Sequence, residues 1–363
     1  MKIPLMRVSL SPEDLESVEE VLKSGMLVQG KEVSALESEF KEYTSSKHAV
    51  AVSNGTASLH LMLIANGIGS GDEVIIPALS YVATANVLEI VGATPIFIDT
   101  KDNSFNIDVN LIEEKITSKT KAIMAVNEFG LCADLEQLNE ICERFDLLLL
   151  EDAACALGAY LNNRHSGTFG QTGSFSFHPR KAITSGEGGM IITANEKLAN
   201  KLRILRNHGI DPEINRFTDA GFNYRMTDFQ AALLRSQLKR FDSIQKEKED
   251  LAKLYHENIE NPKIILPHFE SNKKHSWQTF HVVLDNSIDR NKTISDLKEK
   301  GIGTNYGAQC LPEVDFYKKK YKLDCASNFP NAMRAFNQGL ALPLYAGLKS
   351  EEILYIANEI NKL

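Results

Sequence analysis

The chain has 363 residues, 43% of them hydrophobic and 24% charged, enough to bury a large core in one sizeable domain with a smaller companion. A formal net charge of −8 leaves no basic stripe to follow a phosphate backbone, which argues against nucleic acid as a partner. No apolar run approaches the roughly 18 residues that a membrane-crossing helix needs, and the opening residues lack the apolar stretch of a signal peptide, so a soluble, cytoplasmic protein without a membrane partner is expected.

In chain order, AVAVS (49–53) reads as a buried strand, followed by a turn at Asn54 and Gly55 and a helix carrying SLHLMLIANG from Ser58. The strand EVIIP (73–77), a helix with ATANVLEIVG from Ala83, and the strands TPIFID (94–99) and KAIMAV (121–126) come next. A helix with DLEQLNEICERF from Asp134 leads into the strand LLLLED (147–152). This β, α, β, α order predicts an α/β fold, a mostly parallel sheet flanked by helices, with ligands at the carboxyl ends of the strands. A long, increasingly charged helical stretch is predicted from Thr227, and the chain is divided near Lys246. That gives a large α/β domain over 1–245 and a small C-terminal α+β domain over 246–363. The small domain takes in WQTFHVVL (277–284), a charged helix near 295–300 and a last helix from Ser350. The cysteines, at 132, 142, 155, 310 and 325, show no CxxC spacing and read as reduced thiols, with neither a disulfide framework nor a metal site.

Three features carry chemistry. Asp152 ends an apolar strand, where a carboxylate either faces a ligand or caps the next turn, and position alone leaves both readings open. Lys181 lies in SFSFHPRKAITSGEGG, between two strands and before Gly186, Gly188 and Gly189. Alone it reads as a solvated loop lysine. With Asp152 it supplies the pair that pyridoxal phosphate (PLP) chemistry requires, an amine for a Schiff base and a carboxylate to keep the pyridine nitrogen protonated. The third feature is the turn Gly55, Thr56, Ala57, Ser58 opening a helix, either an ordinary cap or a seat for the cofactor's phosphate, with Ser176 able to add a hydroxyl.

In combination, NGTASLHL, GDEVIIPALSYVATANV, EDAACALGA, SFSFHPRKAITSGEGG, RNHG, GFNYRMTDFQAA and GIGTNYGAQ resemble the DegT/DnrJ/EryC/StrS family of sugar aminotransferases, fold type I PLP enzymes, nearly end to end. The resemblance implies Lys181 as the Schiff-base lysine and proton shuttle, with a lowered pKa beside the cofactor cation, and Asp152 on the pyridinium nitrogen. It implies Tyr81 stacked on the ring, and Gly55, Thr56, Ala57 and Ser176 around the phosphate. Asn223 would reach the phosphate of the neighbouring subunit, which implies a homodimer with shared sites, and Arg225 would face the same interface. An amino acid, glutamate by expectation, would be the donor and a nucleotide-linked keto sugar the acceptor.

Three departures from the family pattern fall near the expected ring and substrate contacts. Cys155 stands where many relatives have Gln or His by the ring oxygen, and a thiol is the weaker hydrogen-bonding group, so that contact passes to another residue. Asn127 in AVNEFG and Tyr306 in TNYGAQ replace common histidines, which keeps a smaller keto acceptor, a ketose phosphate or cyclitol ketone, in view. With His178, they are the candidate substrate-side residues. A dehydratase is disfavoured because those relatives put His where Lys181 stands, and a cofactor-free relative is disfavoured because Lys181 and Asp152 are intact. GEGG after the lysine loop leads into a strand, against the strand-to-helix order of a dinucleotide fingerprint.

Overall fold

The computed structural model describes residues 2–102 and 104–363. Seven strands form the central sheet: β1 (His48–Val52), β2 (Glu73–Pro77), β3 (Thr94–Ile98), β4 (Thr120–Val126), β5 (Leu148–Asp152), β6 (Thr172–Ser176) and β7 (Gly189–Thr193). Their spatial order is β1-β7-β6-β5-β4-β2-β3. Strands β6, β5, β4, β2 and β3 pair in parallel, and β7 runs antiparallel to both β6 and β1. These strands are almost continuously buried, and most are apolar, because both faces are covered, as a helix-flanked parallel sheet demands.

Of helices α1 (Pro12–Ser24), α2 (Lys31–Thr44), α3 (Gly55–Ala65), α4 (Ala83–Val91), α5 (Leu135–Phe145) and α6 (Glu196–Arg206), α3, α4 and α5 follow the predicted pattern, α3 beginning three residues before the predicted apolar run, and α1, α2 and α6 come in addition. On one side of the sheet Phe40 of α2 packs edge-on to Phe175 and Phe177, at centroid distances of 5.2 and 5.8 Å. The other side holds Leu59 and Met62 of α3 with Val87 and Leu88 of α4.

The long helix expected from Thr227 is two helices, α7 (Asp228–Lys239) and α8 (Phe241–Asn258), broken at Arg240. Apolar periodicity runs on across the break, so the pattern could not reveal it. Arg240 has left the helical conformation, and its guanidinium is drawn to Asp14 and to the carbonyl of Ser9. The start of α8 packs Phe241 and Ile244 into the large-sheet core, while Leu251, Ala252 and Tyr255 join a separate core beneath a three-stranded antiparallel sheet. That sheet consists of β8 (Ile264–Ile265), β9 (Phe280–Leu284) and β10 (Gly339–Leu342), β9 being central. The charged helix expected near 295–300 runs over Arg290–Glu299, and the last helix over Ser350–Ile360. Ala308, Leu311, Tyr317 and Phe329 fold back onto the large sheet beside Leu79 and Phe97. Among the described residues no helix is long and apolar enough to cross a membrane, and no cluster of three or more His, Cys, Asp or Glu could hold a metal ion.

Candidate active site

Because β1, β2, β4, β5 and β6 all point the same way, their carboxyl ends deliver Asn54, Ser80, Glu128, Asp152 and Ser176 to one edge of the sheet. β7 enters from that same edge, where Gly189 pairs with Val52 and with Ser176. Gly55 opens α3 hard against Ser176: a Cβ there would sit 2.8 Å from Ser176 Cβ and 3.0 Å from its Oγ. Only glycine permits that approach. The Ala57 N–H donates to Asn54 Oδ1 at 2.8 Å, which leaves Gly55 and Thr56, at the first two helical positions, with amides that have no intrahelical acceptor. The result is a small cradle, backed by a helix N-terminus and the Ser176 hydroxyl, suited to a phosphate.

Asp152 is 4% exposed. Its Oδ2 accepts from Thr84 Oγ1 at 2.8 Å and its Oδ1 from the Ala154 N–H at 3.2 Å. Thr84 is in turn 2.9 Å from Ser80 Oγ. Burial raises the Asp152 pKa, against the pull of Thr84, Ala154 and Lys181. A buried carboxylate with so few donors is ready to receive a cationic N–H, which is what a pyridinium presents.

Lys181 closes a turn in which its N–H donates to the His178 carbonyl at 2.8 Å, and its Nζ donates to Cys155 Sγ at 3.0 Å. Burial opposes the charge on the amine, but Cys155, Asp152 and Glu128 outweigh it and hold its pKa above the usual lysine range. The lowering expected for Lys181 is therefore not a property of the surrounding side chains: acidic groups encircle it. Burial pushes the Cys155 thiol up as well.

The structure thus brings Gly55, Thr56, Ala57 and Ser176 together on one side, and Asp152, Cys155 and Lys181 on the other. Tyr81 follows Ser80 at the head of α4 and is 67% exposed, its ring open to a partner. His178 is exposed, with its Nδ1 accepting from the Arg180 N–H. Asn223 is exposed and bridges Asn207 through the backbone, and Arg225 donates to Asn207 Oδ1 at 2.7 Å. Neither hydrogen-bonds to the Lys181 cluster of its own chain. Tyr306 is engaged elsewhere, taking a hydrogen bond from Gln309 at 3.1 Å and packing edge-on to Phe336.

Asn127 departs from the substrate-side expectation. It is fully buried, its Nδ2 donating to Glu151 and its Oδ1 accepting from the Ala133 N–H, so both ends of the amide are committed to the scaffold. Two carboxyls beside known positions escaped the sequence reading. Glu151 is completely buried and accepts from the N–H groups of Gly167, Phe169 and Gly170 at 2.6, 2.7 and 3.0 Å. Glu128, one residue beyond Asn127, is buried, and its burial pushes its pKa up to about 7 against the pull of Lys181.

A phosphate cradle, a buried carboxyl and an amine at one sheet edge fit PLP: Lys181 would hold the carbonyl carbon, Asp152 the ring nitrogen and the start of α3 the phosphate. The model of the DegT/DnrJ/EryC1/StrS aminotransferase family matches residues 8–361. The chain is 35% identical to the spore coat polysaccharide biosynthesis protein SpsC of Bacillus subtilis, over 97% of this chain and 94% of that protein. It is 34% identical to the GDP-perosamine synthase of Escherichia coli O157:H7, over 99% of this chain and 98% of that protein. Among solved structures it is similar to Helicobacter pylori PseC, an aminotransferase involved in the biosynthesis of pseudoaminic acid, with a TM-score of 0.94 at 29% identity over 100% of this chain and 99% of that one. The chain belongs to the DegT/DnrJ/EryC1/StrS aminotransferase family. It is a PLP-dependent aminotransferase of fold type I.

Asp152→Asn keeps the shape and removes the charge that would hold the ring nitrogen protonated. It is expected to lower kcat roughly 100-fold or more while the protein still binds PLP, and steady-state kinetics on the loaded variant would check this; an unchanged kcat would remove Asp152 from that role.

Proposed function

We propose that this enzyme moves an amino group from glutamate to a nucleotide-linked keto deoxy sugar, a 4-keto or 3-keto compound used for surface glycans. The observation that carries the transamination is the Lys181 amine set beside Asp152 at the sheet edge where α3 begins. The sugar acceptor is supported by the relatives' names, above all GDP-perosamine synthase. The enclosure of Asn127 weakens one motive for a smaller acceptor, since that side chain is already fully used.

When bound, PLP supplies an electron sink that stabilises negative charge on the donor's α-carbon. Lys181 Nζ, freed by the donor's own amine, would take the proton from that carbon and deliver it to the cofactor carbon it had held. Thr84 orients Asp152 so that its carboxylate keeps a proton on the ring nitrogen, and the α3 N-terminus anchors the phosphate so that the reacting carbon stays beside Nζ. The exposed Asn223 and the half-buried Arg225, without hydrogen bonds to their own Lys181 cluster, support a homodimer in which each serves the other subunit's site. The chain's chemistry suits the cytoplasm, where its five free cysteines stay reduced.

The test is the visible absorbance of the PLP-loaded protein before and after adding glutamate. The yellow band should give way to ultraviolet absorbance, and a keto sugar should restore it. A yellow protein indifferent to every amino acid would overturn the aminotransfer reading.

A further inference from the structure

A buried ammonium group is normally paired with an anion, because one left alone forfeits its hydration without recompense. Lys248, on α8, is an exception. It is 4% exposed, forms no ion pair among the described residues, and its Nζ reaches a single acceptor, the Ser276 carbonyl, at 3.5 Å. Ser276 Oγ in turn donates to the Cys155 carbonyl at 3.1 Å, so this amine lies one residue away from the turn that carries Cys155. Burial pushes Lys248 down to about 8, which still leaves most of its charge in place, and unanswered, near neutral pH.

Lys248 and Lys181 line the same pocket, of about 60 Å³, between the lysine loop and the small domain. Five cations line it, Arg7, Arg180, Lys181, Arg240 and Lys248, and among the described residues no Asp or Glu does. Two of the five are engaged, Lys181 with Cys155 and Arg240 with Asp14. The other three have no anionic partner among the described residues. The backbone of Arg180 is fixed at both ends, its N–H on His178 Nδ1 at 3.2 Å and its carbonyl on Gln278 Nε2 at 3.0 Å, while its guanidinium makes no hydrogen bond there. Arg7 is placed by the bridge of Ile3 to Ile302 and by the Gly303 N–H donating to the Ile3 carbonyl at 2.8 Å. Gln278 lines both this pocket and the small one shared by Cys155, Ser176 and Lys181, and so stands between the cationic pocket and the cofactor side.

We propose that this pocket is the carboxylate subsite of a dicarboxylic amino donor, with Lys248 and Arg180 as the residues that select it. Three unanswered cations around the Lys181 amine call for more than one negative charge, which a dicarboxylic amino acid brings and a neutral one does not. The space admits a carboxylate group and is too small for a nucleotide. A carboxylate there gives Lys248 the partner that the fold withholds, and the planar guanidinium of Arg180 can hold two carboxylate oxygens at once. The inference rests on the aminotransfer reading of Lys181 and names the donor class that the same site takes.

The test uses the PLP-loaded enzyme, so that the phosphate cradle is filled, and glutarate, a dicarboxylate without an amine. Titration calorimetry compares the wild type with Arg180→Gln and Lys248→Met. Glutarate should bind the wild type, and each variant at least about 10-fold more weakly, with the KM for glutamate rising by a similar factor and kcat changing less. Near pH 8, glutarate should also shield wild-type Lys248 from acetic anhydride, read by peptide mass spectrometry. Arg180→Gln alters an exposed side chain and carries the test even if Lys248→Met fails to fold. Failure of glutarate to bind the wild type, an unchanged affinity in Arg180→Gln or in folded Lys248→Met, or a nucleoside diphosphate that shields Lys248 where glutarate does not, would overturn the proposal. A yellow enzyme that binds glutarate yet reacts with no amino acid would instead overturn the aminotransfer reading, the calorimetry still deciding whether the pocket takes carboxylates.

Discussion

Lys181→Ala is expected to lower turnover by at least about 10⁴-fold, because in the proposed mechanism one change removes both the covalent tether and the base that moves the α-proton. The fold should survive: the Lys181 side chain makes a single hydrogen bond, to Cys155, and its backbone turn to His178 does not depend on the side chain. Circular dichroism would confirm the fold and steady-state kinetics the loss. A small primary amine added to the assay should restore part of the rate by standing in for Nζ. Substantial transamination by the alanine variant without such an amine would sink the assignment.

The second large effect concerns stability. Glu151→Ala strips the acceptor from the N–H groups of Gly167, Phe169 and Gly170 and from Asn127 Nδ2, all in the interior. Each buried donor left unmet costs about 1–3 kcal/mol. Even with partial relaxation the loss should exceed about 3 kcal/mol, a fall in Tm of about 4 °C or more for a chain of this size. A melting curve within about 1 °C of the wild type would show that the turn after β5 finds other acceptors. The carboxyl is itself a compromise. Burial raises its pKa against the opposition of those same donors, so its contribution to stability diminishes as pH climbs from the ordinary glutamate range toward the folded value.

Much of the fold was legible because buried parallel strands are written as short apolar runs, and those at 73–77, 94–98 and 148–152 lie where the sequence indicated. Lys181 and Asp152 were legible for a different reason: one follows a strand and the other ends one, and their chemistry is complementary. Glu128 and Glu151 were not. A single carboxyl beside a strand end has no periodicity, and whether it is exposed, clamped or catalytic depends on residues far away in sequence, here Asn106, Gly167 and Lys181. Asn127 shows the reverse error, since a departure from a family pattern pointed to a side chain whose amide is bound into the scaffold. The break at Arg240 was hidden because an ion pair with Asp14, more than 200 residues away, leaves no local mark.

The position of β1 at the sheet margin bears on how the enzyme is made. Val52 must wait for Gly189 to find its partner, whereas β4 and β5 lie side by side in both sequence and space. A nascent chain stalled before β7 would carry an apolar, unpaired β1 on the ribosome, a long-range contact of the kind that slows folding and invites aggregation. Since β7 joins β1 to β6, the cradle between Gly55 and Ser176, which would seat the cofactor's phosphate, is held together only after β7 has emerged.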